Sequence, residues 1–137
     1  MRIDLHVHTS KYSHCAKATP EEMIDAAVQA GLDGIVLTEH DHLWSQEELA
    51  RLQNQTPIRL LRGIEVSTKQ GHFLAYGIQH SDGLYKGMSV SELSKRVHER
   101  NGVLVMAHPC RYSDEIPKSV SEVALDGVEG LSGNVRM

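Results

Sequence analysis

The chain has 137 residues, of which 40% are hydrophobic and 23% are charged, a composition typical of a single globular domain and not of a disordered tail. Its formal net charge of −4 at pH 7 argues against a broad basic surface for nucleic acid. No stretch reaches the roughly 18 apolar residues of a membrane span, and the charged start of the chain does not resemble a signal peptide. We therefore expect a cytoplasmic protein with no membrane partner.

Histidine is frequent in this chain, with nine copies. It is the commonest protein ligand for metals, so the positions of these residues matter more than their number. The two cysteines, Cys15 and Cys110, are too few for a disulfide framework and too far apart for a zinc knuckle. We expect both to be free thiols.

The predicted elements alternate between short apolar strands and amphipathic helices. Thr19 and Pro20, followed by two glutamates, begin a helix with a capping residue and acidic groups near its N-terminus. Ser45 begins a second helix in the same way, and Ser91 is the expected cap of a third. We predict strands at residues 2–7, 34–38, 58–66, 72–78, 103–107 and 128–131, and helices at 20–30, 45–53, 90–101 and 120–125. This alternation indicates parallel β/α units, in an open doubly wound sheet or a β/α barrel.

Polar side chains collect at the ends of the predicted strands. Asp4, His6 and His8 alternate with apolar residues, so an extended backbone would space all three along one face. Carboxyl ends of strands are where β/α folds place their sites. A buried carboxylate such as Glu65 is costly unless paired, and imidazoles around it suit a divalent cation. The further candidates of this kind are Glu39, His40, Asp41, His42, His72 and His108.

Taken in chain order, these segments resemble the polymerase and histidinol phosphatase family, known as the PHP domain. The matching segments are residues 4–9, 38–41, 63–67 and 107–109, which read DLHVHT, TEHD, GIEVS and AHP, together with His72 and its strand. The resemblance spans essentially the whole chain. It implies an α/β fold, a distorted seven-stranded β/α barrel that is incomplete here, with about five or six β/α units.

The resemblance also implies a multinuclear site with two or three divalent metal ions, of zinc, manganese or iron. By resemblance, His6, His8 and Glu65 hold the first ion, and Glu65 bridges to a second. Asp4, Glu39 and Asp41 would orient the imidazoles by hydrogen bonds. The complete expected ligand set is His6, His8, His14, His40, Glu65, His72 and His108, in which His72 and His108 complete the second ion and His14 and His40 hold the third.

The implied reaction is hydrolysis of a phosphate monoester or diester by a metal-activated water. We expect Glu65, His40 and Asp41 to take part in the catalytic step. Arg111 is the expected substrate-binding residue, because a guanidinium matches the geometry of phosphate oxygens. The expected substrate is a small phosphorylated compound or a nucleotide.

The chain departs from the family pattern near its C-terminal end. Family members continue past the equivalent of residues 131–134 and supply an aspartate and a histidine from a late Gly-Ser-Asp-X-His motif, whereas this chain ends at Met137. We therefore expect residues 1–137 to form a single PHP-like domain that is truncated at its C-terminal end. Alternatively, another subunit of a homo-oligomer supplies the missing strands, or the site works with fewer ligands.

Two other functions stay open. The missing late aspartate and histidine favour a catalytically impaired metal-binding or regulatory module. Deacetylase chemistry of the amidohydrolase type also uses histidine-rich metal sites in β/α barrels. The segments at residues 38–41 and 63–65 favour the phosphoesterase over the deacetylase. The evidence against an impaired module is that the chain retains all of His6, His8, Glu65, His72 and His108. Trp44, which follows the first of these segments, would either wall the mouth of the site or pack in the core.

Overall fold

The structure, a computed structural model, describes residues 1–109 and 116–130. The predictions made for Cys110, Arg111 and residues 131–137 lie outside the described residues. The described strands are β1 (Ile3–Val7), β2 (Gly34–His40), β3 (Arg59–Thr68), β4 (Gly71–Tyr76), β5 (Val103–Met106) and β6 (Gly127–Val128). The described helices are α1 (Pro20–Gln29), α2 (Gln46–Gln53), α3 (Val90–Glu99) and α4 (Lys118–Ser121).

The six strands form one sheet in chain order, β1-β2-β3-β4-β5-β6. β1 pairs with β2 in parallel, and β5 pairs with β6 in parallel. Parallel neighbours need a long crossover connection, and the helices between the short apolar strands supply it. The expected α/β class, with an incomplete set of β/α barrel units, is confirmed.

β4 differs from the parallel arrangement that the sequence indicated. It runs antiparallel to β5, with Phe73 opposite Met106. Only residues 69–70 separate β3 from β4, whereas a parallel crossover needs a dozen residues or more. The Thr68 hydroxyl donates to the carbonyl of Gly71 at 2.7 Å, which closes this short connection. The start of β4 therefore lies beside the end of β5.

The chain divides into two compact units, Met1–Ile64 and Glu65–Met137. Each has its own set of buried apolar side chains, and full burial of one such side chain stabilises by about 1.5–3 kcal/mol. In the first unit the core includes Val7, Ile24, Ile35, Leu37, Trp44 and Leu60. In the second unit the largest fully buried apolar side chains include Phe73, Leu74, Met88, Leu93 and Leu104.

The three longer helices begin where a serine or threonine caps them. Thr19 and Glu22 form a complete capping box at the start of α1, and Ser45 accepts a hydrogen bond from the backbone N–H of Glu48 in α2. The cap of α3 is Ser89 and not Ser91, because Ser89 keeps an extended backbone while its hydroxyl accepts from the third helical N–H. Among the described residues, no helix is both long and apolar enough to cross a lipid bilayer.

Candidate metal centre

His6 and His8 lie at the end of β1, where the strand carries a bulge. Asp4 and Val7, three positions apart, pair with residues of β2 that are two positions apart. A bulge re-aims the side chains around it. Alternate residues of a regular strand have Cα atoms about 6.6 Å apart, and the side chains of His6 and His8 close this gap, with their Nε2 atoms 3.2 Å apart. The two imidazoles therefore converge at their tips, and the expected placement of Asp4, His6 and His8 on one face stays a prediction.

Asp4 was expected to orient an imidazole, and this expectation is wrong. Its carboxylate accepts a hydrogen bond from the backbone N–H of His6 at 3.0 Å. The side chain of Asp4 is exposed at the start of the bulge. The residue therefore acts on the backbone that carries His6, and not on a ring nitrogen.

β2 continues through His40, two residues beyond its predicted end, and this places Glu39 in the interior. One oxygen of the Glu39 carboxylate accepts from the backbone N–H of Thr9 and the hydroxyl of Ser13, both at 2.8 Å. The other oxygen accepts from the Thr9 hydroxyl and, at 3.0 Å, from the indole N–H of Trp44. These hydrogen bonds satisfy a fully buried carboxylate. Glu39 thus holds three side chains of the first unit and does not orient an imidazole as we expected.

The loop at residues 10–17 is fixed by the same hydrogen-bond network. The Ser13 hydroxyl, which donates to the buried carboxylate, also accepts from the backbone N–H of His40 at 3.1 Å. The backbone N–H of Ser10 donates to the carbonyl of Ala18 at 2.8 Å and closes the loop. A segment without strand or helix is therefore held against the end of β2.

The other side of this loop is anchored to α2. The Tyr12 hydroxyl donates to the Glu48 carboxylate at 2.5 Å, and the Lys11 ammonium lies 2.9 Å from the same oxygen. The hydrogen bond from Tyr12, followed by that from Lys11, lowers the pKa of Glu48 to about 2. Trp44, whose position was left open, packs in the core at 1% exposure.

The same loop brings Cys15 to two histidines. Ligand atoms of His8, Cys15 and His40 all lie within 4.8 Å of one another, and the rings of His8 and His40 stack with centroids 4.3 Å apart. His14, the expected partner of His40, is exposed and belongs to no such group of three among the residues that the structure describes. The structure confirms Cys15 as a free thiol and places it, instead of His14, in the group that contains His40.

Glu65, His72 and His108 form a cluster in the second unit. Oε2 of the fully buried Glu65 lies 2.8 Å from Nδ1 of His72 and 3.5 Å from Nε2 of His108. The antiparallel pairing of β4 with β5 brings the two histidines together, and the backbone N–H of Ala107 donates to the carbonyl of His72 at 3.0 Å. A parallel β4 would have placed His72 at the opposite end of the strand.

Two predicted site residues have a left-handed backbone. Asp41 follows β2 with a φ of 54°, and His108 follows β5 with a φ of 27°. Residues other than glycine rarely adopt such conformations, which cost about 1–3 kcal/mol each and persist where the surroundings enforce them. The backbone N–H of His108 is held by the Glu129 carboxylate at 2.9 Å. Strain of this kind often marks functional sites.

The donor atoms fit divalent metal ions in both type and spacing. In a tetrahedral zinc site with bonds of about 2.0–2.1 Å, neighbouring ligand atoms lie roughly 3.3 Å apart. The separation of 3.2 Å between His6 and His8, and the Glu65 contacts of 2.8 and 3.5 Å, are close to this value. Imidazoles suit zinc and iron, and carboxylates suit manganese. The expected ligands are thus plausible donors in each unit, and their metal occupancy stays a prediction.

A serine, a histidine and an aspartate also meet where α3 packs. Nδ1 of His98 lies 3.1 Å from the Ser94 hydroxyl, and Nε2 lies 2.7 Å from the Asp126 carboxylate. The Ser94 hydroxyl donates to the carbonyl of Ala124 at 2.8 Å, and Asp126 accepts from the backbone N–H of Leu104. The hydroxyl proton is thus directed at a backbone carbonyl, so the arrangement ties α3 to the segment before β6 and does not activate a nucleophile.

Several known proteins are similar to this chain in sequence. A protein of Methanocaldococcus jannaschii with no characterised function is 26% identical over 142 residues, which cover 94% of this chain and 80% of that protein. The error-prone DNA polymerase of Mycobacterium tuberculosis is 31% identical over 64 residues, 47% of this chain and 6% of the polymerase. The polymerase match therefore concerns a small part of a much longer protein.

Two solved structures have a similar fold. A candidate metal-dependent phosphoesterase from Bifidobacterium adolescentis has a TM-score of 0.73 at 15% identity and covers 94% of this chain and 77% of its own. An amidohydrolase from Chromobacterium violaceum, solved with sulfate and without metal, has a TM-score of 0.72 at 17% identity, with 93% and 76% covered. At these identities the likeness shows the fold.

The family model for the PHP domain matches residues 4–135. The match includes every strand and helix described above except the first residue of β1, and it confirms the resemblance drawn from the sequence motifs. At the level of the family, it supports a metal-dependent hydrolase. The chain belongs to the PHP domain family.

Proposed function

We propose that this protein hydrolyses a phosphate monoester or diester with the help of two or three divalent metal ions. The main support for this proposal is the Glu65 cluster, in which Oε2 of Glu65 lies 2.8 Å from Nδ1 of His72 and 3.5 Å from Nε2 of His108. Imidazole nitrogens and a carboxylate oxygen that converge at these distances form a donor set that suits a divalent cation. The proposed substrate is a small phosphorylated compound or a nucleotide.

The proposed ligands are the seven residues expected from the family resemblance, namely His6, His8, His14, His40, Glu65, His72 and His108, with the choice between His14 and its neighbour taken up below. When bound, divalent ions polarise a phosphoryl oxygen and lower the pKa of water. Asp41, held by its left-handed backbone next to His40, is proposed to accept the proton released from the attacking water at its carboxylate. Arg111 is proposed to bind a phosphate oxygen through its guanidinium.

The test measures hydrolysis of p-nitrophenyl phosphate and bis-p-nitrophenyl phosphate by the purified chain with manganese or zinc. We expect turnover that a chelator abolishes, and a loss of about 100-fold or more in Glu65→Gln and His108→Ala. His80→Ala is the matched control, because the exposed ring of His80 lies beside the exposed carboxylate of Asp82. Unchanged turnover in either site variant would remove that residue from the site.

Further assays on the same purified protein distinguish the alternative functions. An amidohydrolase-type deacetylase would release acetate from N-acetylated sugars or amines and leave both phosphate esters intact. A regulatory module would bind metal, measured by plasma emission spectrometry, and turn over neither class of substrate. If another subunit completes the site, light scattering will show a homo-oligomer, and the turnover per chain will fall on dilution.

A further inference from the structure

The cluster of His8, Cys15 and His40 contains a donor that the family resemblance did not supply. Their ligand atoms lie within 4.8 Å of one another. In a tetrahedral site with Zn–N bonds of about 2.0–2.1 Å and a Zn–S bond of about 2.3 Å, these atoms would lie roughly 3.3–3.6 Å apart. Small rotations of these three exposed or half-buried side chains would shorten the separations between their ligand atoms to this range. The group therefore has the composition and nearly the spacing of a mixed nitrogen and sulfur metal site.

The position of Cys15 follows from several contacts of its loop. The backbone N–H of Ala16 donates to the carbonyl of Ser13 at 3.2 Å, and that of Ser13 donates to Thr9 at 3.0 Å. Side-chain hydrogen bonds then tie Ser13 to β2 immediately before His40. The turn around Cys15 is thus fixed to the strand that carries the imidazole, which makes the short distance between them a property of the fold.

We infer that the thiolate of Cys15, and not the imidazole of His14, holds a divalent metal ion together with His40, with His8 as the third donor. The inference rests on the proposed metal dependence of the chain and adds a ligand to it. Thiolate is a soft donor, and a site of two imidazoles and one thiolate favours zinc or cobalt over manganese and magnesium. This ion is therefore chemically distinct from one held by the Glu65 cluster.

Binding at this site couples to protons. The sulfur–metal bond forms as the thiol proton leaves to solvent, because the thiolate is the ligand. Without the ion, the same exposed sulfur is open to alkylating reagents and oxidants, so the metal protects it.

The first experiment uses cobalt(II) as a spectroscopic probe for zinc. All variants carry Cys110→Ser, so Cys15 is the single thiol. We expect a thiolate-to-cobalt charge-transfer band in the near ultraviolet, and its loss in Cys15→Ser with one fewer cobalt ion bound per chain. The matched loop variant His14→Ala should keep the band. A band that persists in Cys15→Ser, or that disappears in His14→Ala, overturns the inference.

The second experiment measures alkylation of Cys15 by iodoacetamide in the Cys110→Ser background. We expect saturating zinc to slow the reaction about tenfold or more, because a metal-bound thiolate is a poorer nucleophile. In His40→Ala this protection should disappear, measured as the ratio of the rates with and without zinc in the same variant. An equal rate with and without zinc contradicts the inference. Circular dichroism of each metal-free variant shows whether the fold is retained.

The outcomes also separate this inference from the proposed function. If the parent binds neither cobalt nor zinc, both are wrong. If the parent binds metal and hydrolyses phosphate esters but gives no thiolate band and no protection, only the role of Cys15 is wrong. If Cys15→Ser itself fails to fold, protection of the parent thiol by zinc decides the question alone.

Discussion

Glu39 is the residue on which most of the contacts near the end of β2 depend. Its carboxylate is fully buried and accepts hydrogen bonds from Thr9, Ser13 and Trp44. In Glu39→Gln, an amide N–H₂ would face donors that need an acceptor, and hydrogen bonds to charged groups contribute about 1.5–3 kcal/mol. We expect the free energy of unfolding in urea to fall by about that amount.

The matched control for this change is Glu99→Gln, since Glu99 is exposed at the end of α3. Exposed substitutions of this kind usually change stability by less than about 0.5 kcal/mol. If Glu39→Gln were as stable as Glu99→Gln, the four hydrogen bonds would not contribute to the stability of the first unit. Zinc protection of Cys15 should also weaken in Glu39→Gln, because the loop loses its anchor.

For individual residues, the sequence predicted the types of side chain at the site better than it predicted which side chains contact each other. The spacing of histidines on apolar strands is unusual and matches the family motifs, so the sequence could name candidate ligands, namely His6, His8, His40, Glu65, His72 and His108. Cys15 could not be identified, since its proximity to His40 depends on hydrogen bonds between a loop and a buried strand. The actual partners of Glu39 are likewise tertiary, so an oriented imidazole was a reasonable but wrong expectation.

Among the elements, the junction of α3 with β5 determines how β4 and β5 align. A Cβ on Gly102 would lie 2.6 Å from the side chain of Ile78 and 2.9 Å from the carbonyl oxygen of Tyr76. Overpacking of this kind costs about 1–3 kcal/mol. We therefore expect Gly102→Ala to lower the free energy of unfolding by that amount, and to weaken metal binding because His72 and His108 depend on the β4–β5 register.

Gly130→Ala provides the comparison for this variant, because a Cβ there meets nothing within 4 Å. A compatible replacement of glycine by alanine changes stability by less than about 1 kcal/mol, usually towards greater stability. Urea unfolding of the two variants side by side measures the difference. Equal midpoints would contradict the close approach of β4 to Gly102.

The contact between α3 and the segment before β6 should make stability depend on acid pH. The backbone N–H of Leu104, and next the ring of His98, lower the pKa of the Asp126 carboxyl. A lowered pKa in the folded state stabilises above the ordinary carboxyl value of about 3.9, and this contribution is lost as pH falls through the folded value. We expect Asp126→Asn to be less stable than the parent at pH 7, with the difference shrinking below about pH 4 in urea titrations.

The positions of the strands and helices could be predicted from the sequence, whereas the antiparallel direction of β4 was missed. Every described strand and helix was expected near its observed position, because period and capping signals are local. Strand direction is not local in the same sense, but here a signal was present: only residues 69–70, followed by Gly71 with a φ of 130°, separate two apolar strands. Such spacing is typical of a hairpin. A hairpin between β3 and β4 would have predicted the antiparallel β4 that brings His72 close to His108.

For the molecule as a whole, bound metal should act as a stabilising ligand. An ion that binds the folded state alone stabilises by about 2.7 kcal/mol when its free concentration is 100 times its dissociation constant. We expect zinc to raise the melting temperature measured by calorimetry, and His108→Ala to lose much of this increase while His80→Ala keeps it. A melting temperature that does not respond to zinc would contradict metal binding by the folded chain.

The fold class and family were predictable at this scale because the motifs occur in order along the whole chain and each follows an apolar segment. Parallel β/α architecture places such positions at one end of the strands, so a correct list of elements was enough. The choice of phosphate ester was not predictable. Arg111, the residue proposed to recognise it, comes from a connection whose sequence carries no periodic signal.

The left-handed backbone of His108 has a consequence for anyone who selects variants of this protein. Glycine relieves a positive φ at no steric cost, so glycine at position 108, where φ is 27°, would remove the backbone strain but would also empty the space of a buried side chain. The same exchange removes the imidazole that faces Glu65. The strained backbone is therefore the cost of presenting this imidazole, and selection for turnover should keep histidine at this codon although glycine would fit the backbone better.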